Sequence, residues 1–208
     1  LGDVYKRQVV NLLTRFYDID GGSITLDGES IYDIPKKKLR GSIGIVLQDT
    51  VIFNDTIMQN IRYGRLDATD EEVIAAAKTA KVADFAEKMA DGYDTMLTEG
   101  GGNLSQGQRQ LIAIARAVLA DPKILILDEA TSSIDTRTEV HIQEAMLALM
   151  KGRTSLIIAH RLSTIRDADK IVVIDGGKVV EAGNHEKLLS ENGAYARLYN
   201  TQFAGIKT

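Results

Sequence analysis

The segment Ile124-Leu125-Ile126-Leu127-Asp128-Glu129 decides the fold of this 208-residue chain. Its four aliphatic residues predict a short buried strand, and the strand ends in two adjacent carboxylates. A buried strand with acidic residues at its carboxyl end is a usual way to hold Mg²⁺ and a catalytic base beside a phosphate chain. The segment therefore predicts an α/β core with a site for phosphate chemistry at the end of this strand.

A second segment, Leu104-Ser105-Gln106-Gly107-Gln108, stands at the start of the helix that leads into this strand. Ser105 and Gln108 have the spacing of a capping box, so the Ser105 hydroxyl and the neighbouring backbone amides would present donors to an anion. Gly107 would let a phosphate approach the backbone closely. Taken alone, these residues would more simply cap a core helix. Their position ahead of the Asp128-Glu129 strand favours phosphate binding.

Composition argues against several other classes of protein. The net charge of -4 disfavours a nucleic-acid surface, and the one basic run, Lys36-Lys37-Lys38 with Arg40, is interpreted as a solvated face. The absence of cysteine excludes disulfides, thiol nucleophiles and thiolate metal sites. No apolar run is long enough to cross a bilayer, so another segment or chain would do any crossing.

Strands alternate with helices along most of the chain, which predicts a mostly parallel sheet. The core is expected in residues 9–50 and 120–208, with an inserted α-helical subdomain at residues 51–119, where Thr69 and Glu72 predict another capping box. The predicted strands are 23–28, 43–47, 124–127, 155–159, 171–174 and 178–181. Outside the insertion the predicted helices are 9–16, 136–150, 186–189 and 194–203, and inside it a helix is predicted at 82–89.

The motifs, taken in order, resemble those of one family. Residues 104–108 resemble the LSGGQ signature of ATP-binding cassette (ABC) proteins, with Gln106 in place of a glycine, and residues 124–129 resemble the Walker B motif. Gln48 stands as in the Q-loop, residues 130–135 resemble the D-loop, and His160 in IIAHRLST resembles the H-loop histidine. The chain thus resembles an ABC nucleotide-binding domain, which implies a P-loop NTPase (RecA-like) core that binds ATP and Mg²⁺.

The resemblance also implies a role for each motif residue. Asp128 and Gln48 would contact Mg²⁺. Glu129 would polarise the attacking water, and His160 would hydrogen-bond the γ-phosphate of ATP. These roles make Glu129 and His160 the candidate catalytic residues.

Signature residues of the family reach ATP across a head-to-tail dimer of two such domains. In this chain they are Ser105, Gln106, Gly107 and Gln108. Asp135 is similar to the aspartate that communicates across the dimer, and it also has the position of a cap for the helix that begins at Thr136. A second nucleotide-binding domain is therefore an expected partner.

Three further stretches resemble exporters in particular: FNDTI at 53–57, TEGG at 98–101 and NGAYARLYNTQF at 192–203. In exporters the domain usually follows six transmembrane helices. The resemblance therefore implies a transmembrane partner and a place at the cytoplasmic face of the cell membrane. Phe53 and Glu99 are expected on the surface that contacts the intracellular helices, while Glu99 also fits a solvated turn.

The opening octet, LGDVYKRQ, departs from the family pattern. The sequence contains no G-x-x-x-x-G-K-[ST] phosphate loop. Tyr5 stands where that loop has a glycine, Arg7 replaces the hydroxyl that ligates Mg²⁺, and Lys6 matches by position only. We therefore expect residues 1–8 to be a non-native scar in place of the phosphate loop and of the strands before it, followed by the domain at residues 9–208.

Two functions from different classes are consistent with these features. The first is the ATP-binding domain of an ABC exporter, inactive as an isolated chain because the phosphate loop is missing. The second is a non-hydrolysing ABC-like interaction module that contributes its signature motif to a partner. An ABC ATPase of DNA repair is disfavoured, because such proteins interrupt the domain with a long coiled coil that this sequence lacks.

Overall fold

The computed structural model describes residues 2–47, 50–128, 134–159 and 166–204, and it divides the chain into two compact units, residues 8–156 and residues 1–7 with 157–208. The helices are α1 (Gly2–Leu13), α2 (Lys36–Gly41), α3 (Ile57–Arg62), α4 (Asp70–Thr79), α5 (Ala83–Ala86), α6 (Gln106–Ala120), α7 (Thr136–Met150), α8 (His185–Ser190) and α9 (Ala194–Ala204). The strands are β1 (Thr25–Leu26), β2 (Glu29–Ser30), β3 (Ile43–Val46), β4 (Ile124–Asp128), β5 (Thr154–Ile158), β6 (Ile171–Asp175) and β7 (Lys178–Gly183).

A three-stranded sheet has the order β3-β4-β5, and its first two strands are parallel. Their register runs from Ile43 opposite Ile124 to Val46 opposite Leu127. The three central residues of β4 are at most 1% exposed, which explains why this strand is uniformly aliphatic. The predicted α/β fold, with parallel strands and a buried strand leading to Asp128, is confirmed.

Arg153 joins the segment before β4 to the segment before β5. Its Nε donates to the carbonyl of Pro122 at 3.0 Å, and its Nη2 lies 2.5 Å from Oδ1 of Asp121. This hydrogen bond from Arg153 lowers the pKa of the Asp121 carboxyl group. Asp121 itself has a left-handed φ of +46° and ends α6, as the Asp-Pro sequence predicts.

The insertion contains α3 to α6 and two short 3₁₀ turns, Gly92–Asp94 and Glu99–Gly101. Thr69 and Glu72 form the predicted capping box at the start of α4. The helix predicted at 82–89 was too long, because only Ala83–Ala86 is α-helical. After it the backbone tightens into turns closed by hydrogen bonds three residues apart, from Lys88 to Phe85 and from Met89 to Ala86.

The first helix differs from its prediction at both ends. It begins at Gly2 rather than near Val9, and it ends at Leu13 rather than at Phe16. The early end has a local cause, because Arg15 takes a left-handed φ of +54°. Arg40 then donates from Nε to the carbonyl of Thr14 and from Nη2 to that of Arg15, both at 3.0 Å, so the carbonyl groups just past the helix end are satisfied without another helical turn.

The strand predicted at 23–28 is a tight hairpin of β1 and β2. Asp27 and Gly28 form its turn, with φ values of +51° and +86°. Two consecutive positive φ values define the turn that joins adjacent antiparallel strands, and the Asp-Gly pair favours it. The sequence signal for the turn was present, but we interpreted it as the end of one strand.

The unit that holds residues 157–208 is built on an antiparallel pair, β6 and β7, with a bulge next to Val173. Its core is formed by Ile171, Leu188 and Tyr195. Glu181 of β7 accepts hydrogen bonds from the backbone N–H groups of Ala194 and Tyr195 at the start of α9. Among the residues that the structure describes, none of the helices combines the length and the apolar character that crossing a bilayer requires.

Candidate functional site

The start of α6 has the capped geometry that the sequence predicts. Ser105 Oγ accepts a hydrogen bond from the N–H of Gln108 at 3.2 Å, and Gln108 Oε1 accepts one from the N–H of Ser105 at 2.9 Å. Ser105 is exposed, and Gln106, the first residue of the helix, is half-buried. The positive end of a fifteen-residue helix therefore opens to solvent at this position.

Gly107 has a packing role that the sequence did not reveal. A Cβ atom at this position would overlap Cγ2 of Thr138 and lie 3.2 Å from Cγ2 of Ile134. Gly107 is the second residue of α6 and Thr138 is the third of α7, so the two helices begin side by side. The absence of a side chain at Gly107 allows this approach.

Asp135 caps α7, as one of its two predicted roles requires. Its Oδ1 accepts a hydrogen bond from the N–H of Thr138 at 3.0 Å. This hydrogen bond lowers the pKa of the Asp135 carboxyl group. Because Thr138 contacts both Asp135 and Gly107, the starts of α6 and α7 lie side by side, and their exposed cap residues, Ser105 and Asp135, are part of one surface.

Asp128 is the last residue of β4 and is half-buried at the carboxyl end of the parallel strands. A single carboxylate of this kind suits Mg²⁺, which is commonly bound by one or two carboxylates together with waters and substrate phosphates. Within the described ranges, no group of three or more acidic or histidine side chains forms a metal cage. The donor set at β4 therefore fits a magnesium ion that arrives with its nucleotide.

Gln48, Glu129 and His160 lie outside the residues that the structure describes. Their predicted roles rest on the sequence and remain predictions. The residue just before each of two of them is described: β3 leads towards Gln48, and β4 ends immediately before Glu129.

A groove of about 310 Å³ lies between β3 and α6. Small or aliphatic residues form most of its walls, and one arginine lines it. The lining includes Gly44, Ile45, Val51, Ala113, Ala117 and Arg116. Leu47 and Thr50, on either side of the Q-loop residues 48–49, also face this groove.

Sequence analysis missed a polar network beneath this groove. Asn60 is fully buried in α3, where its Nδ2 donates to the carbonyls of Phe53, Asp55 and Thr56 and its Oδ1 accepts from the N–H of Phe53. Arg116 adds hydrogen bonds to Oδ1 of Asn60 at 2.7 Å and to its carbonyl at 2.6 Å. A usable signal existed, because an asparagine three residues after Ile57 occupies the buried stripe of a helix.

Phe53 and Glu99 are placed as surface residues. The Phe53 ring is 39% exposed and stacks on Tyr63 at a centroid distance of 4.1 Å. The guanidinium of Arg116 lies 5.2 Å from the centre of the same ring. Glu99 is exposed in a 3₁₀ turn, which fits either a docking contact or a solvated turn.

Comparison with known proteins gives these features a family. The model of the ABC transporter family matches residues 6–132, more than half of the chain. The chain belongs to the ABC transporter family. The ABC transporter ATP-binding protein YfiC of Bacillus subtilis is 58% identical over 198 residues, which are 95% of this chain and 33% of YfiC. The lipid A-core flippase of Hahella chejuensis is 54% identical over 200 residues, 96% of this chain and 34% of the flippase.

A solved structure agrees with these relatives. The chain matches a bacterial Atm1-family ABC exporter with ATP bound, with a TM-score of 0.88 and 48% identity over 95% of this chain and 34% of that chain. The predicted resemblance to an ABC exporter nucleotide-binding domain with a P-loop NTPase core is confirmed. The chain spans about one third of the length of these relatives. The family and these relatives support the assignment of this chain as the ATP-binding domain of an ABC exporter.

Proposed function

We propose that this chain, as part of a longer exporter, binds ATP with Mg²⁺ and hydrolyses it between two head-to-tail domains to drive export across a membrane. The observation that carries the proposal is the joint start of α6 and α7, where the Ser105 and Asp135 caps lie on one exposed surface held by Gly107 and Thr138. Two adjacent helix ends concentrate backbone donors and positive dipole potential, which suits a nucleotide phosphate.

The candidate residues fall on two faces of the proposed ATP site, and the two faces play different parts in the reaction. On one face Asp128 and Gln48 would hold Mg²⁺, which neutralises phosphate charge when bound. On this face, too, Glu129 would accept a proton from the attacking water, and His160 would donate a hydrogen bond to the γ-phosphate. On the other face Ser105, Gln106, Gly107 and Gln108 would contact the nucleotide held by a second domain. Asp135 would lie at the seam of the dimer, where its capping bond to Thr138 fixes its carboxylate.

The groove between β3 and α6 is the proposed docking surface for the transmembrane partner. Its lining residues flank Gln48, the residue expected to report nucleotide state to the transport domain. The exposed Phe53 ring is held close by, through the contacts of Asn60 and Arg116. Since two thirds of each matched relative lies beyond this chain, the occupant proposed is a helical segment of that remaining part, at the cytoplasmic face of the membrane.

The isolated chain is expected to bind Mg-ATP weakly and to hydrolyse it no faster than background. The backbone from Gly2 to Leu13 is one helix, in which most N–H groups are already bonded along the helix. A phosphate cradle needs successive N–H groups turned towards the ligand. Calorimetry of the purified 208-residue chain with Mg-ATP tests this point. Micromolar binding would show that residues 1–8 form a working cradle and are no scar.

A chimeric exporter tests the function itself: the relative YfiC, with its aligned segment replaced by that of this chain. The chimeric exporter should hydrolyse ATP, and Asp128→Asn should lower turnover at least about tenfold, because a metal ion contributes several kcal/mol of charge stabilisation. Asp67→Asn, at an exposed carboxyl in the insertion, is the matched control and should leave turnover unchanged. Equal turnover in the two variants would remove Asp128 from the site.

The alternative, a module that offers only its signature motif, is favoured by one observation. Ser105, Gly107 and the start of α6 are held by contacts among described residues within residues 8–156, and these contacts do not involve residues 48, 129 or 160. The isolated chain should then restore ATP turnover to a YfiC nucleotide-binding domain whose own signature serine has been replaced. No restoration, with the chain folded by circular dichroism, would rule this role out.

A further inference from the structure

In the part of the chain that the structure describes, Arg116 is a cation without an acidic partner, and its surroundings are largely apolar. Across residues 2–47, 50–128, 134–159 and 166–204, no carboxylate forms an ion pair with its guanidinium. The side chain is half-buried, and desolvation lowers its pKa. A charge in this position is costly unless it is paired or well hydrogen-bonded.

The hydrogen bonds that Arg116 makes do not use all of the N–H groups of its guanidinium. Nε donates to the carbonyl of Asn60, Nη1 to the carbonyl of Val51 at 2.6 Å, and Nη2 to Oδ1 of Asn60. A guanidinium has five N–H groups, so two remain after these three bonds. All three acceptors are uncharged, so none of them neutralises the positive charge.

The position of Arg116 is fixed before any partner arrives. Gly64 lies so close to the Arg116 main chain that a Cβ atom there would overlap its carbonyl oxygen. The buried Asn60 side chain and the Val51 carbonyl hold the guanidinium from two sides, and the Phe53 ring lies against it. An arginine whose guanidinium is already held in position loses little conformational entropy when it binds a carboxylate.

We infer that Arg116 is the specificity-determining residue of the groove, and that it pairs with an Asp or Glu carboxylate on the helical segment that docks there. This inference rests on the proposed function, which supplies the segment, and it adds the chemistry by which the segment is recognised. The occupant would place small or aliphatic side chains against Ala113 and Ala117 of α6 and its carboxylate against the unused N–H groups of Arg116. Apolar contacts would contribute most of the buried surface area, and the single ion pair would fix the position of the segment along the groove.

The experiment uses the chimeric exporter with a photoreactive benzoylphenylalanine at Val51. This side chain is 65% exposed and lines the groove, while only its main-chain carbonyl contacts Arg116. Mass spectrometry of the cross-linked peptide should identify a segment of the membrane-spanning part with an Asp or Glu within one helical turn of the linked residue. Leu66, which is 75% exposed and does not line the groove, is the control position and should not link to that segment.

Variants of Arg116 separate recognition from simple support of the fold. Arg116→Gln should lower the cross-link yield about tenfold, while Arg116→Lys should keep most of it, because lysine preserves the charge but not the three-way hydrogen bonding. If Arg116 only supported the backbone, both variants would lose yield equally. Replacing the identified acidic residue by its amide should lower the yield about as much as Arg116→Gln does, and the two changes together should lower it little further.

The outcomes distinguish this inference from the proposed function. No cross-link between Val51 and the membrane-spanning part, in a chimeric exporter that hydrolyses ATP, would overturn both the docking groove and the ion pair. A cross-link to a segment without a nearby carboxylate would overturn the ion pair alone. Equal loss in the Gln and Lys variants, or losses that add when Arg116→Gln is combined with the amide at the acidic position, would also overturn it.

Discussion

Gly107 on α6 packs directly against Thr138 on α7, so closely that a single added methyl group would overlap Cγ2 of the threonine. Sequence reasoning had assigned Gly107 to the approach of a phosphate. The two roles can be tested separately. Packing depends on the contact between Gly107 and Thr138 within this chain, whereas phosphate approach depends on the exposed face of the helix start that a nucleotide would contact. A paired substitution can separate them.

The first prediction is that Gly107→Ala lowers the free energy of unfolding by about 1–3 kcal/mol, the usual effect of overpacking a buried contact. Thr138→Ser removes the methyl group that the new Cβ atom would meet, so the double variant should recover most of the lost stability. Denaturant unfolding followed by circular dichroism measures both effects. A double variant no more stable than Gly107→Ala would contradict the packing explanation. A stable double variant whose chimeric exporter has lost ATP turnover would show that Gly107 also serves the nucleotide.

The second prediction concerns Glu129, the proposed general base for ATP hydrolysis. In the chimeric exporter Glu129→Gln should lower ATP turnover by roughly 10²–10⁴-fold, the usual contribution of a positioned general base. ATP binding should survive, because the amide keeps the size of the side chain and adds no repulsion to phosphate. Steady-state release of phosphate and equilibrium binding of labelled ATP provide the two measurements. Turnover near the rate of the unmodified chimera would remove Glu129 from this role.

The third prediction concerns coupling to the membrane part. Alanine at Phe53 or at Glu99 should weaken the stimulation of ATPase by any compound that activates the chimeric exporter, and basal hydrolysis should change less. The reason is that both side chains are exposed and lie outside the α6 and α7 caps. Leu66→Ala is the control for loss of an exposed apolar side chain. A parallel decline of basal and stimulated rates, together with a lower Tm, would instead indicate a role in the fold.

The fourth prediction is a pH dependence at the start of α9. The hydrogen bonds from the N–H groups of Tyr195 and then Ala194 hold the pKa of the Glu181 carboxyl group below its ordinary value of 4.5. A group whose pKa is lowered on folding stabilises the native state above its unfolded pKa, and this contribution is lost as the pH falls through the folded pKa. Protection of the α9 amides from hydrogen exchange should therefore decline as the pH falls below about 4.5 and through the lowered pKa of Glu181.

A neutral variant isolates this effect from other titrating groups. Glu181→Gln should show weaker α9 protection at neutral pH and a flatter decline on acidification, because its amide accepts a hydrogen bond but carries no charge to favour the helix start. Glu191→Gln removes an exposed carboxyl group that pairs with Lys187 at 3.8 Å, and it serves as the control. The prediction fails if Glu181→Gln and the unmodified chain lose protection in parallel.

Local signals predicted much of this fold. The capping boxes at Thr69 and Ser105 need only two side chains three residues apart, and both were confirmed. The bounds of α7, from Thr136 to Met150, were also predicted correctly, because the Asp135 cap and the apolar spacing agree. These features depend on neighbours in sequence, and a single sequence contains that information.

Contacts between distant segments were not predictable in the same way. The Asn60–Arg116 network joins residues 56 positions apart, and the glycine contact between α6 and α7 depends on how the two helices cross. A short pattern cannot distinguish a glycine kept for a ligand from one kept for a neighbouring helix. The extent of α5 was misjudged for the same reason, because apolar spacing favoured more helical turns than the surrounding packing accepts.

The contacts of Arg153 at the start of β4 and β5 bear on the proposed nucleotide site at the other end of β4. Arg153 binds Pro122 and Asp121, and the N–H of Thr154 next to it donates to the carbonyl of Lys123 at 3.3 Å, so β4 and β5 start from one common point. A slip of one residue between these strands would turn Asp128 to the opposite face of the sheet. The orientation of the carboxylate proposed to bind Mg²⁺ therefore depends on residues at the other end of its strand, and substitutions there are expected to impair the proposed ATP hydrolysis as well as substitutions beside the phosphates.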